Sequence, residues 1–117
     1  MTNTQIKIYH NPRCSKSREA LNLIEAKGFK AFVVEYIKNP PTYAEIKDLL
    51  MKLNLKPQQI IRTNEALYKE KFKNKNFSNE EWIKILSENP ILIERPIIVK
   101  NNKAIIGRPP QLLEDLF

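Results

Sequence analysis

The order of patterns along this 117-residue chain predicts an α/β fold: β-α-β, a helical insertion between the second and third strands, then β-β-α. Three observations carry that reading. A β-like run, Ile6-Lys7-Ile8-Tyr9, leads into a helical pattern and then a second β-rich run. The middle of the chain holds two Ser/Thr-x-x-Glu capping boxes, each opening an apolar stripe of helical period. The last third returns to short β-branched runs on either side of an Asn-Asn pair.

Each element has its own signal. After the first strand, a helix runs from near Ser15 to Lys27 with Ser17, Ala20, Leu21 and Ile24 on one face, and Gly28 supplies its stop. Ala31 to Tyr36 forms the second strand, and the βαβ order favours a parallel pair. Pro40-Pro41 breaks the chain. Thr42-Tyr43-Ala44-Glu45 opens a helix whose Ile46, Leu49, Leu50 and Leu53 recur at i, i+3, i+4, i+7. Pro57 starts a short helix leading to Ile61, and Asn64 to Lys71 forms another. Ser78-Asn79-Glu80-Glu81 opens a further helix with Trp82, Ile85 and Leu86 inward, ended before Pro90. Ile97-Ile98-Val99 and Ala104-Ile105-Ile106 flank Lys100-Asn101-Asn102-Lys103 and form a hairpin, because Asn tolerates positive φ. Pro109-Pro110 starts a terminal helix carrying Leu112, Leu113 and Leu116.

The whole chain, residues 1–117, reads as a single domain without repeats or an internal boundary. A hydrophobic content of 42% marks it as globular. No apolar run is long enough to span a membrane, and the first residues lack a signal-peptide pattern, so a cytoplasmic location is expected. The formal charge of +7 comes from scattered lysines and carries no helix-turn-helix, zinc-finger or RNP-type pattern, so no nucleic-acid partner is expected. Nothing in the sequence demands more than a monomer.

Cys14 is the only cysteine and His10 the only histidine. No intramolecular disulfide, CxxC pair or cysteine-rich zinc site is available, and no tightly bound cofactor or metal is expected. Any redox reaction at Cys14 must be resolved by another molecule's thiol. The segment His10-Asn11-Pro12-Arg13-Cys14-Ser15-Lys16-Ser17-Arg18 places this thiol where a strand hands over to a helix N-terminus. Unpaired N–H groups and about half a positive charge gather there, and Arg13, Lys16 and Arg18 reinforce the field. Such a setting favours thiolate and lowers a cysteine pKa from about 8.5 to between roughly 3.5 and 7.5.

The arginines are a second signal. There are five, Arg13, Arg18, Arg62, Arg95 and Arg108, against fifteen lysines. Arg62 follows Ile60-Ile61, Arg95 precedes Pro96 at the mouth of a strand, and Arg108 follows the last strand. A guanidinium binds tetrahedral oxyanions through a fork of charge-assisted hydrogen bonds that lysine cannot reproduce. Taken singly, each arginine is more often a surface residue than a ligand. For His10 two readings stand, the end of a strand or a partly charged imidazole supporting the thiolate. Ser17 is either a first-turn helix residue or a second support.

Together these residues resemble the glutaredoxin-coupled arsenate reductases, the ArsC family, which also holds ArsC-like proteins and the Spx regulators. The matching pieces are Ile8-Tyr9-His10-Asn11-Pro12-x-Cys14-x-x-Ser17-Arg18, Arg62, Glu94-Arg95-Pro96-Ile97 and Gly107-Arg108-Pro109-Pro110. The resemblance implies a thioredoxin-like fold with a cis Arg95–Pro96 peptide. It implies Cys14 as nucleophile, Arg62, Arg95 and Arg108 as oxyanion-binding residues, and His10 and Ser17 as groups that keep the cysteine ionised. It further implies arsenate as substrate, glutathione as co-substrate and glutaredoxin as protein partner. Arg13, Ser15 and Lys16 stand where well-known members carry smaller or different residues. Two alternatives remain within the same resemblance, a thiol oxidoreductase acting on another substrate and a non-enzymatic Spx-like regulator. Redox-sensing members of the latter kind generally use a CxxC switch, and here Ser17 occupies its second position.

Overall fold

The computed structural model describes residues 5–107 and residue 116. The contacts within it divide the chain into two compact units. One is built from the residues up to Asn39 together with those from Arg95 onward, the other from Pro40–Glu94.

The first unit is a four-stranded sheet with a helix. The strands are β1 (Ile6–His10), β2 (Ala31–Glu35), β3 (Ile97–Lys100) and β4 (Lys103–Ile106), in spatial order β2-β1-β3-β4. β1 pairs in parallel with β2 and antiparallel with β3, and β3–β4 is the expected hairpin. Asn101 takes φ 55° in its turn, the positive φ anticipated for that Asn-Asn pair. Helix α1 (Ser15–Ala26) joins the two parallel strands, and Gly28 follows it at φ 87°, a conformation that glycine adopts without a Cβ penalty. Strand alternation turns Ile6, Ile8 and Ile98 toward Ala20 and Ile24 of α1, and Leu116 joins this core. Burying each such aliphatic side chain contributes about 1.5–3 kcal/mol. β2 ends one residue earlier than its sequence pattern suggested, so Tyr36 lies just past the strand.

The register places four chain segments along one edge of this sheet. His10 is opposite Glu35, Tyr9 opposite Ile97, and Ile97 opposite Ile106. The C-terminal ends of β1, β2 and β4 and the start of β3 therefore lie side by side. The Asn11–Cys14 loop, Tyr36, Arg95–Pro96 and Gly107 follow or precede those ends. In open α/β sheets, ligands bind beyond the C-terminal ends of parallel strands. Gly107 donates its N–H to the Pro96 carbonyl at 2.8 Å. A Cβ on Gly107 would lie 2.8 Å from Ile98 Cδ1 and 3.2 Å from Pro96 Cγ, both fully buried side chains.

The second unit is helical and occupies the expected insertion between β2 and β3. It contains α2 (Tyr43–Leu53), a 3-10 turn at Pro57–Ile60, α3 (Ala66–Lys71), α4 (Asn79–Glu88) and a 3-10 turn at Pro90–Leu92. Both predicted capping boxes form. Thr42 Oγ1 accepts the Glu45 N–H while Glu45 accepts the Thr42 N–H, and Ser78 and Glu81 repeat the exchange. In α2 the buried residues are Ile46, Leu49 and Leu50, with Leu53 only half-buried. In α4, Trp82, Ile83 and Leu86 are buried and Ile85 is half-buried, a correction to the expected inward set. Adjacent apolar positions 82 and 83 both reach the buried stripe, because an apolar face wider than about 100° takes neighbours as well as i+3 and i+4. Trp82 also closes an aromatic cluster with Phe72 and Phe77, whose centroid lies 4.9 Å away in edge-to-face geometry. An antiparallel bridge, Ile61 to Ile93, with Arg62 N–H to Leu92 O and Glu94 N–H to Ile60 O, fixes Arg62 in this unit.

No helix among the described residues is long and apolar enough to cross a membrane. The expected terminal helix from Pro109 lies outside the described residues, apart from the buried Leu116. Replacement Gly107→Ala is expected to destabilise the protein by about 1–3 kcal/mol through overpacking. Urea unfolding reads it, and an unchanged midpoint would show that the site edge of the sheet is not closely packed there.

Candidate active site

The loop that carries Cys14 is held by its own polar atoms. The Cys14 N–H bonds to the Asn11 carbonyl at 3.0 Å, closing a turn with Pro12 at the position where proline's fixed φ fits. Asn11 Oδ1 accepts the Arg13 N–H at 3.0 Å, an Asx turn over the same residues. Arg18 reaches back to donate from Nη1 to the Pro12 carbonyl at 2.8 Å. This arginine, read as a source of positive field, is therefore also a clamp on the loop.

Cys14 is the N-cap residue of α1 and is half-buried. The first turn of α1 contains no acidic residue to cancel the field at its end. The thiol makes no well-directed cap hydrogen bond, but the N–H groups of Ser17 and Lys16 and the Arg95 side chain all act on the sulfur. Burial pushes the Cys14 pKa up. The Ser17 N–H, Arg95 and the Lys16 N–H outweigh it, so the thiol is more acidic than an ordinary cysteine.

Arg95 enters the same edge from the other side of the sheet centre, on the cis Arg95–Pro96 peptide that leads into β3. Burial disfavours its charge, but the neighbouring Tyr36 hydroxyl and Cys14 sulfur more than compensate, so it stays protonated. Its Nε and Nη1 are buried and make no well-directed hydrogen bond among the described residues. Two charged donors with capacity to spare thus stand beside the Cys14 sulfur.

His10 and Ser17 form a buried pair. His10 Nδ1 is 2.6 Å from Ser17 Oγ, and Ser17 Oγ also accepts the Asn11 N–H at 3.1 Å. Burial pushes His10 below its ordinary pKa and Arg18 adds to this, against the opposing pull of Glu35. The imidazole is therefore neutral near pH 7, and the partial positive charge expected from an unperturbed histidine is replaced by a hydrogen-bonding role. Ser17 spans the pair and the thiol, with its side chain on His10 and its backbone N–H on Cys14.

Arg62 lies in the helical unit. Its Nε donates to Glu65 Oε1 at 3.1 Å, and its Nη1 is 4.0 Å from Glu94 Oε1. It is an ion-paired arginine in this structure. Arg108 lies outside the described residues. The structure thus brings together Cys14, Arg95, His10 and Ser17. It adds Asn11 and Arg18, which order the loop, and Tyr36, which had been read only as the last residue of a strand. The available signal for Tyr36 was a polar-tipped aromatic at the C-terminal end of a parallel strand.

These features match a known group of thiol proteins on a thioredoxin-like fold. The ArsC family model matches residues 9–116, and the chain belongs to that family. An arsenate reductase of Neisseria meningitidis is 45% identical over 112 residues, covering 94% of this chain and 96% of that protein. The uncharacterised protein YfgD of Escherichia coli is 49% identical over 113 residues, covering 94% of this chain and 95% of that one. The solved structure of an arsenate reductase from Vibrio cholerae superposes with a TM-score of 0.94 at 38% identity, covering 99% of this chain and all of that one, 100%.

Two outcomes are expected from this geometry. The rate of Cys14 alkylation should titrate below the ordinary thiol value of about 8.5, and Arg95→Gln should move the midpoint upward. A wild-type midpoint at or above 8.5 would contradict the electrostatic account. For His10 the folded-state pKa is depressed, so the unfolded state binds more protons as pH falls through about 6.5. Its contribution to stability is full above that pH and declines below it. Denaturant titrations from pH 8 to 5 should show a steeper loss for wild type than for His10→Gln, and parallel curves would remove His10 from the account.

Proposed function

We propose that this protein reduces arsenate to arsenite, with Cys14 as nucleophile and glutathione and glutaredoxin supplying the electrons. The observation that carries the reading is Arg95, whose buried Nε and Nη1 lack directed partners among the described residues while its side chain also contacts the Cys14 sulfur. A tetrahedral oxyanion held on those donors would lie on the Cys14 side of the guanidinium. Relatives named arsenate reductase, similar over almost the whole chain, support the same substrate.

In the proposed reaction the Cys14 thiolate attacks As(V). A hydroxyl leaves as water once protonated, and a Cys14 S–As bond forms. Arg95 neutralises the oxyanion and stabilises the added charge at the transition state. Arg108 is assigned the same task from the resemblance. So is Arg62, for which the anion would compete with Glu65 and Glu94. The glutathione thiol then displaces a second hydroxyl as water, forming an As–S bond. A glutaredoxin thiolate attacks the sulfur of that glutathione. The As–S electron pair passes to arsenic, reducing it to As(III), and glutathione leaves as a mixed disulfide on glutaredoxin. Water displaces the Cys14 thiolate and arsenite departs. The single cysteine requires such external thiols, since no second thiol in this chain is available to resolve the adduct. Ser17 and His10 hold the loop and the thiolate side of the site through these steps.

NADPH consumption coupled through glutathione reductase and glutaredoxin tests the proposal. Turnover should require arsenate, glutathione and Cys14, and vanish in Cys14→Ser. Arg95→Lys should stay folded and lose about 10²–10³ in kcat, the usual loss for one oxyanion donor. A folded wild-type protein with a reactive Cys14 and no arsenate-dependent turnover would overturn the substrate and leave a thiol enzyme acting on something else.

A further inference from the structure

We infer that Tyr36 is a positioning residue for Arg95, its phenol oxygen aiming the guanidinium at the Cys14 sulfur and at the anion that sulfur attacks. The inference rests on the reading of Cys14 and Arg95 given above, and it adds a residue to that site that no sequence motif marked.

Three observations carry it. Sheet register puts the end of β2 beside the end of β1 and the start of β3, so Tyr36 stands on the same edge as the Cys14 loop and Arg95. The Tyr36 side chain is 1% exposed, so its hydroxyl has been withdrawn from water and must find protein partners. That hydroxyl lies near the Arg95 guanidinium, which in turn lies near the Cys14 sulfur, and the buried guanidinium atoms Nε and Nη1 share the same edge.

The chemistry follows from the inventory of donors. An arginine carries five N–H groups in a rigid plane, so fixing one side of the plane fixes where the others point. A phenol oxygen beside the guanidinium offers it an acceptor, and its own proton need not be lost. Held this way, the guanidinium contacts the sulfur while Nε and Nη1 retain buried capacity for a ligand. Without the hydroxyl, the side chain keeps its charge but gains rotational freedom. Both the stabilisation of the thiolate and the preorganisation toward the oxyanion then weaken. Phenylalanine at position 36 fills the same volume, which separates the hydroxyl from the ring.

The test is the pH dependence of Cys14 alkylation in wild type, Tyr36→Phe, Arg95→Gln and the double variant, with near-UV circular dichroism as the check on folding. Tyr36→Phe should raise the midpoint by about 0.5–1 unit, part of the roughly 1–3 units that a close opposite charge commands. Arg95→Gln should raise it further, and the double variant should match Arg95→Gln alone, since the two residues act as one. In the coupled assay Tyr36→Phe should raise KM for arsenate and lower kcat several-fold. A Tyr36→Phe midpoint equal to wild type overturns the inference, even if the melting temperature falls. So does a Tyr36→Phe shift that persists undiminished in the Arg95→Gln background. The titration reads the thiol without any substrate. A wild type inactive on arsenate therefore sinks the reductase proposal while the Tyr36 inference stands or falls on the midpoints.

Discussion

A guanidinium partly withdrawn from water has to be compensated, and the site edge of the sheet is arranged around that requirement. Arg95 is placed there by the start of β3, next to the ends of the two parallel strands. Its neighbours are the Cys14 sulfur, whose ionisation it favours, and the Tyr36 phenol oxygen. The attraction works in both directions. The arginine makes the thiol more acidic, and negative charge on the sulfur makes the partly buried guanidinium more tolerable.

The helix end supplies the other half of the field. Cys14 occupies the N-cap position, where Ser, Thr, Asp or Asn would usually sit and accept the orphan N–H groups. A thiolate meets the same need with a full negative charge. Ser17 ties this arrangement to the core, because its hydroxyl is buried against His10 and the Asn11 N–H while its backbone faces the sulfur. The neutral His10 fits that role better than a cation would. A second buried positive charge near Arg18 would add to the cost that Arg95 already imposes.

Arg62 shows how the immediate partners of a charged residue depend on the fold. Its rarity among lysines and its place after an apolar pair made it a candidate oxyanion ligand. Its partners in the structure are a pair of carboxylates, Glu65 three residues on and Glu94 across the Ile61–Ile93 bridge. Glu65 was legible from the i, i+3 spacing. Glu94 was not, since only the bridge brings it near.

Much of this protein was determined by the sequence itself. The capping boxes at Thr42 and Ser78, the Gly28 stop, the Asn101 turn and the position of Cys14 at a strand-to-helix junction all depend on interactions within a few residues. Such signals survive without tertiary context. The inward set of α4 was only partly legible, because packing rather than period chose Ile83 over Ile85. The surroundings of the Cys14 sulfur were decided by the tertiary structure. Cys14, Tyr36 and Arg95 lie far apart in the chain and become neighbours through strand order and register. A one-residue slip of a strand would turn its side chains to the opposite face. The neutral state of His10 is likewise a matter of burial, which no spacing along the chain encodes.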